Sequence, residues 1–222
     1  MMACISPVQD TCVGTYGFPA YLWFAGKPSL IPVPETNEMG VRLFPLFSCR
    51  SVVVKDDSLG NEAGILKKAI ESFGIDVEIK KEILASEKYI ELRIEKTGIL
   101  PSHKESYDLK VSTDKILITA NTSHGIFNGI QTLRQLMRDA VMVDACDITD
   151  WPAFSWRGYM IDAGRNYMSL LSLKQQIDVM AANKLNVFHF HATEDIAWRI
   201  AIKQYPQLTE PEYMLRNKGY VL

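Results

Sequence analysis

Two short apolar runs near the C-terminus, Tyr159-Met160-Ile161-Asp162 and Asn186 to His191, flank a stretch of different periodicity. In that stretch, Leu170 to Lys184, the apolar residues Leu173, Ile177, Met180 and Ala181 recur at three- and four-residue steps. The runs have the pattern of strands and the stretch between them that of an amphipathic helix. A hairpin has no room for a helix of this length, so the two strands must run parallel. Parallel strands need cover on both faces. A pair that is apolar on both sides is expected to belong to a larger α/β sheet or barrel, with the sequence ending mid-fold.

Polar residues gather directly after each strand. The first leads into Asp162-Ala163-Gly164-Arg165-Asn166-Tyr167 and the second into His189-Phe190-His191-Ala192-Thr193-Glu194-Asp195. In parallel α/β sheets and barrels, ligands sit outside the carboxyl ends of the strands. An arginine there presents a fixed fork of donors to vicinal hydroxyls or a carboxylate, and acids beside it can orient a histidine or tune a proton donor. Spacing alone leaves other readings open. Asp162 and Arg165 serve equally well as a pair that closes a loop. His189 and His191 share one face of a strand and could hold a metal if a third ligand were supplied, or pack in a core. Glu194-Asp195 could be a helix cap, and Trp151, Trp156 and Trp198 could be core residues or sugar platforms.

The upstream half reads as a small α+β domain, from about residue 28 to 146. Ser29 to Pro34 is a proline-punctuated extended entry, and Ser51-Val52-Val53-Val54 is β-branched and strand-like. Asn61 to Phe73 is predicted as a helix with Ile65, Leu66, Ala69, Ile70 and Phe73 on one face, stopped by Gly74. Tyr89 to Ile94 alternates as a half-buried strand. Tyr107–Val111 and Ile116–Ala120 flank the polar turn Ser112-Thr113-Asp114-Lys115 as a hairpin, and Ile126 to Met137 is a second helix with Ile130, Leu133, Leu136 and Met137 inward. The grammar changes near Asp147, and Asp150-Trp151-Pro152-Ala153-Phe154 reads as a bend into the first parallel strand.

Composition removes several function classes. The 222 residues carry 24 basic and 26 acidic side chains, a net charge of −2, which leaves no basic field for a nucleic-acid backbone. Cys4, Cys12, Cys49 and Cys146 lack paired spacing and are expected to be buried free thiols. Residues 1–27 read as a leader or disordered tail: the segment Gly17 to Gly26 is apolar, but no Lys or Arg precedes Lys27 and Pro19 interrupts the run. It is shorter than the ~20 apolar residues that span a bilayer, and no membrane span is expected.

Ile148-Thr149-Asp150-Trp151-Pro152-Ala153-Phe154-Ser155-Trp156-Arg157-Gly158, continuing through Asp162 and Arg165 to Tyr167, resembles the start of the catalytic barrel of the β-N-acetylhexosaminidases of glycoside hydrolase family 20. So do Asp178 to His191, with Lys184-Leu185-Asn186 inside it, then Thr193-Glu194-Asp195 and Trp198-Arg199-Ile200. Upstream, Ile31-Pro32-Val33-Pro34 and Gly125 to Leu136 are similar to the family's non-catalytic domain.

The resemblance implies an α+β N-terminal accessory domain over 28–146, followed over 147–222 by an incomplete (β/α)8 TIM barrel, its first two strands. It implies hydrolysis of terminal N-acetylhexosamine from oligosaccharides or glycoconjugates by a substrate-assisted retaining route, an exception to the two-carboxylate scheme. It calls for no cofactor or metal, and places the enzyme in a secreted, periplasmic or lysosomal-type compartment. By the same resemblance Arg165 grips ring hydroxyls with Asp162 beside it, Glu194 supports the acid/base machinery, and His191 is its neighbour. Three positions depart from the pattern: Asn166 stands for a His, Ala153 for an Arg, and Glu194 for the commoner Asp. The family's catalytic Asp-Glu dipeptide follows the fourth barrel strand and is absent from these 222 residues, so the chain by itself is expected to be inactive. Two rivals remain from the residues: a metal-dependent barrel hydrolase using His189 and His191, and a sugar-binding module without catalysis.

Overall fold

The computed structural model describes residues 30–82, 87–95, 103–137 and 142–210; the segment read as a leader or tail, with Cys4 and Cys12, lies outside them. Among the described residues nine strands and three α-helices follow in order: β1 (Thr36–Pro45), β2 (Cys49–Val54), α1 (Gly60–Glu71), β3 (Glu78–Lys80), β4 (Lys88–Ile94), β5 (Tyr107–Val111), β6 (Lys115–Ala120), α2 (Ser123–Leu136), β7 (Met142–Asp150), β8 (Gly158–Asp162), α3 (Leu170–Ala182) and β9 (Val187–His191). Among the described residues, no helix is long and apolar enough to cross a membrane.

The first seven strands form one mixed sheet in the order β1-β7-β5-β6-β4-β2-β3. The expected hairpin is there, with Val111 opposite Ile116 and Leu109 opposite Ile118. β6 then pairs parallel to β4, β4 to β2, and β2 to β3. Ile116, Ile118 and Ala120 alternate inward along β6, as period-two patterning requires. Helix α1 buries Ala63, Leu66 and Ile70 and ends before Gly74, which adopts a φ of 79°. Helix α2 begins on Thr122, whose hydroxyl accepts from the Gly125 amide, and buries Ile126, Ile130, Leu133 and Leu136. Two glycines let α2 lie against the strands: a Cβ on Gly125 would strike the Ser106 carbonyl oxygen, and one on Gly129 would stand 2.6 Å from Ile118 Cγ2.

Several elements differ from the sequence reading. Strand β1 has no sequence signature because seven of its ten residues are exposed and show no alternation. Strand β4 is not half-buried: Ile90, Glu91 and Leu92 are all enclosed, because β4 lies between two parallel neighbours, and Glu91 is held by Arg93 at 2.7 Å. Strand β7 runs through Asp150, paired with β5 from Tyr107↔Asp150 to Val111↔Cys146, so the change of grammar at Asp147 falls inside the accessory sheet.

Beyond Asp150 the chain forms the expected βαβ unit. β8 and β9 pair parallel from Gly158↔Val187 to Asp162↔His191, with α3 between them in sequence. Its apolar cover is thin. Met180 and Ala182 of α3 are buried, whereas Ile177, expected inward, is 46% exposed, as are Leu170 and Leu171 at 67% and 65%. Tyr159, Met160 and Phe190 are exposed on the strands themselves. Exposed apolar clusters of this kind mark association surfaces.

The two parts of the chain meet in buried polar contacts. Lys184 follows α3 in the left-handed region at φ 58°, where glycine is the usual residue, and its side chain is 6% exposed. Its ammonium donates to Asp150 Oδ2 and to the Tyr107 hydroxyl, both at 2.8 Å. Tyr107 spends its one hydrogen on Asp150 Oδ2 at 3.0 Å and so accepts from Thr132, at 2.6 Å, as well as from Lys184. Burial lowers the Lys184 pKa while Asp150 pulls it back up; burial, with Asp150 adding to it, drives the Tyr107 pKa well above its ordinary value.

Three measurements check this fold. Gly125→Ala should destabilise the chain by roughly 1–3 kcal/mol in urea unfolding, because the obstructing oxygen is backbone and cannot swing away. Cys49 and Cys146 are free and buried, and burial raises their pKa to about 11 and about 12. Above pH ~9 the unfolded thiols ionise while the folded ones stay protonated, so stability should fall by about 1.4 kcal/mol per pH unit for each cysteine. A Cys49→Ala, Cys146→Ala double variant should flatten that alkaline limb. The purified 222-residue chain should also self-associate as its concentration rises; a single monomeric species in sedimentation at all concentrations would contradict the exposed faces.

Candidate functional site

The carboxyl ends of β8 and β9 lie side by side because the strands pair in register up to Asp162↔His191. Beyond that pair the two segments are tied together: the amides of Ala163 and Gly164 both donate to the His191 carbonyl, at 2.9 and 3.2 Å. Asp162 closes its own turn by accepting the Arg165 amide on Oδ1 at 2.9 Å. On the other segment, Thr193 and Trp198 form an isolated antiparallel bridge, and the Glu194 amide donates to the Ala197 carbonyl at 2.9 Å. The loop after β9 is therefore a small closed turn rather than an open tail.

These turns bring all four sequence-nominated residues into one constellation. The Arg165 guanidinium reaches Glu194 Oε1 through Nη2 at 2.9 Å and Asp162 Oδ2 through Nε at 3.4 Å. His191 stands between the same two oxygens, with Nδ1 at 3.5 Å from Asp162 Oδ2 and Nε2 at 3.5 Å from Glu194 Oε1. The arginine side chain is 58% exposed while Asp162, His191 and Glu194 are half-buried. An exposed cation held on two sheltered carboxylates presents its remaining donors outward, the arrangement that grips vicinal hydroxyls.

Two neighbours brace the constellation. Gly164 lies so near Glu194 that a Cβ there would sit 3.2 Å from Glu194 Cβ and Cγ. Arg199 Nε donates to the Ala163 carbonyl at 2.8 Å, and its guanidinium lies over the Tyr167 ring at 5.6 Å. Neither carried a role in the sequence reading: close backbone approach is a tertiary property, and Arg199 stood only as part of a Trp-Arg-Ile string.

A metal at His189 and His191 finds no support in this geometry. Their rings are 6.4 Å apart, and the donors that do converge are Asp162, His191 and Glu194, within 4.8 Å of one another. The Arg165 cation already sits on both of those carboxylates. Glu194 is no helix cap: its side chain caps no described helix and is paired with Arg165.

Comparison with known proteins decides the family. Residues 27–151 match the model of glycosyl hydrolase family 20, domain 2, and residues 154–219 match the model of the glycosyl hydrolase family 20 catalytic domain. The chain belongs to glycosyl hydrolase family 20. A beta-hexosaminidase of Porphyromonas gingivalis is 34% identical over 195 residues, covering 82% of this chain and 25% of that protein. A beta-N-acetylhexosaminidase of Cellulomonas fimi is 33% identical over 140 residues, 61% of this chain and 28% of the relative. Among solved structures, the family 20 exo-β-N-acetylglucosaminidase of Vibrio harveyi, in complex with N-acetylglucosamine, superposes with a TM-score of 0.69 at 30% identity, over 81% of this chain and 28% of its own. The β-N-acetylhexosaminidase of Bacteroides fragilis gives a TM-score of 0.70 at 28% identity, over 81% and 36%. The chain thus spans about a quarter of the curated relatives it resembles. Within the family's frame, β1 to β7 with α1 and α2 are domain 2, and β8, α3 and β9 are the opening βαβ unit of the catalytic barrel.

The rim ion pairs are exposed on one side, and such pairs are worth only ~0–1 kcal/mol. Arg165→Ala should therefore leave the urea midpoint nearly unchanged, whereas Gly164→Ala should displace Glu194 and alter the Arg165 Nε–H signal in a proton–nitrogen correlation spectrum. An unaltered signal in the glycine variant would show that the close approach does not hold Glu194.

Proposed function

We propose that this chain is the accessory domain and the first part of the barrel of a β-N-acetylhexosaminidase, an enzyme that removes terminal N-acetylglucosamine or N-acetylgalactosamine from oligosaccharides and glycoconjugates. The observation that carries the reading is the Arg165 guanidinium, fixed on Asp162 and Glu194 at the carboxyl ends of two parallel strands with its outer donors exposed. Family membership and the names of the relatives support the same activity.

In this reading Arg165 grips hydroxyls of the terminal sugar ring. Asp162 and Glu194 set the plane of the guanidinium, since a bidentate fork is only as well placed as the carboxylates that hold it. His191 stands between those carboxylates, one ring nitrogen facing each, and supports Glu194. The chemistry itself, attack of the substrate's own 2-acetamido group on the anomeric carbon with a carboxylic acid protonating the leaving oxygen, needs an acid within hydrogen-bond reach of that oxygen. Glu194 cannot serve as that acid while it accepts from the arginine. The chain is thus a sugar-gripping surface that does not turn over by itself, working in a secreted, periplasmic or lysosomal-type compartment.

Calorimetry of the purified chain with N-acetylglucosamine tests the site. Wild-type protein should release heat, and Arg165→Ala should weaken binding at least tenfold, the loss of one or more hydrogen bonds to a charged donor at ~1.5–3 kcal/mol each. Absence of heat from the wild type would overturn the sugar-binding reading. A chromogenic N-acetylglucosaminide should remain intact with the same preparation, and measurable release of chromophore would overturn the expectation of inactivity.

A further inference from the structure

The motif blocks that identify the family contain residues that the rim does not use: Asp150, Arg157, Lys184 and Asn186. They come from two separate stretches of the chain, one before β8 and one before β9, and the structure gathers them where those strands begin, at the opposite ends from the rim. Arg157, immediately before β8, donates through Nε to the Lys184 carbonyl at 2.8 Å and through Nη1 to the Phe154 carbonyl at 2.6 Å, and its Nη2 is paired with Glu105 of the accessory domain. Asn186, immediately before β9, accepts the Arg157 amide on Oδ1 at 3.0 Å and donates through Nδ2 to the Ser155 carbonyl at 2.9 Å and to Glu105 Oε1 at 3.3 Å. The Asn186 amide returns to the Arg157 carbonyl at 2.9 Å. Lys184 reaches into the accessory sheet to Asp150 and Tyr107, and Gln135 of α2 donates to the Ala182 carbonyl at 3.2 Å. Glu105 is in turn joined to α2, where Asn128 Nδ2 stands 3.4 Å from its Oε2.

We propose that Asp150, Glu105, Arg157, Lys184 and Asn186 form a register clamp, through which the accessory domain fixes the start of β9 against the start of β8 and so sets the rim geometry at their far ends. Register is all-or-none in a sheet: a slip of one residue turns every side chain of a strand to the other face. Side-chain contacts within the pair hold that register weakly, because Tyr159, Met160 and Phe190 are exposed and α3 buries little apart from Met180 and Ala182. The clamp supplies what packing does not. Four residue steps separate Gly158 from Asp162, ~13 Å along the strand. Fixing Gly158 opposite Val187 therefore dictates that Asp162 meets His191, and with it that Arg165 finds both Asp162 and Glu194. These are positioning residues, since none touches the rim.

Lys184 shows why the clamp is specific to this pairing. Its backbone has the conformation that glycine adopts most easily, so the side chain at that turn is there for its ammonium rather than for the turn. The ammonium's partners, Asp150 and Tyr107, lie in paired positions on β7 and β5, which form before the barrel strands in sequence and belong to the well-packed sheet. A rigid sheet thus offers one docking point for the α3–β9 turn.

The test uses the 222-residue chain with Arg157→Met, Arg157→Lys and Glu105→Gln. Amide hydrogen exchange is followed for β8 and β9 and, as a reference, for β5 and β6. The signal of the Arg165 Nε–H reports on the rim. Arg157→Met should exchange β8 and β9 amides at least tenfold faster with β5 and β6 unchanged, and the Arg165 signal should shift toward that of a free guanidinium. Arg157→Lys, which keeps a charge for Glu105 but loses the fork, should restore the Arg165 signal in part. Glu105→Gln, a milder change that leaves every backbone contact, should move the same signals in the same direction. Unchanged exchange in β8 and β9, an unmoved Arg165 signal, or equal loss of protection in β5 and β6 would each overturn the clamp. The inference rests on the sugar-binding reading only for its meaning, and the outcomes separate: altered exchange and an altered Arg165 signal with no heat from N-acetylglucosamine in the wild type would leave the clamp standing and remove the sugar.

Discussion

An ammonium taken out of water has to be neutralised where it lies, and Lys184 is neutralised by a domain to which it does not belong. Its side chain crosses from the α3–β9 turn to Asp150 and Tyr107 in the seven-stranded sheet. Removing either charge would strand the other, at a cost of the order of 3–5 kcal/mol. The position of the βαβ unit against the sheet is bound to this contact in a way that an apolar interface would not require, since apolar surfaces tolerate sliding and a buried ion pair does not.

From that contact the rest of the architecture can be followed outward. The accessory sheet is stiff because its core is closed, with Phe44, Leu46, Val52, Ile90, Leu109, Ile116, Ile126 and Leu133 all fully buried. Gly125 and Gly129 bring α2 close enough for Thr132 to reach Tyr107 and for Gln135 to reach Ala182. Polar ties then carry the fixed geometry to Arg157 and Asn186, and backbone hydrogen bonds along β8 and β9 carry it to Asp162 and His191. The accessory sheet and the barrel strands that carry the rim are joined in one continuous path of polar and backbone contacts.

The rim shows how charge and backbone cooperate at a parallel strand end. Asp162 uses one oxygen to close its turn and offers the other to Arg165 and His191. Glu194 is placed by a small bridged turn and by the absence of a side chain at Gly164. The arginine is consequently oriented by two carboxylates from two loops, which a single loop could not do. The proposed grip on a hydroxyl-bearing ring rests on that orientation, which leaves the outer donors of the fork exposed.

Much of this was legible in the residues. The 3.6-residue period of 170–184 between two apolar runs dictated parallel pairing, the Ser112–Lys115 turn dictated the hairpin, and the polar strings after Asp162 and His191 marked the rim, because each depends on local chemistry and spacing. Edge strand β1 escaped notice since its exposed side chains have no reason to alternate, and β7 was not read as a strand, the domain boundary falling inside it at Asp147, because its acidic residues look like a turn although Asp150 serves the junction with Lys184. The roles of Glu105, Tyr107, Arg157, Lys184 and Asn186 were beyond reading, as their partners lie dozens of residues away and a buried polar group looks in sequence like a solvated one. What the amino-acid order determined by itself was the family resemblance, the helices and the alternating or β-branched strands, and the polar strings that follow β8 and β9. What only the tertiary structure decided was which charges meet, because a Coulombic partner is chosen by distance in space and not by distance along the chain.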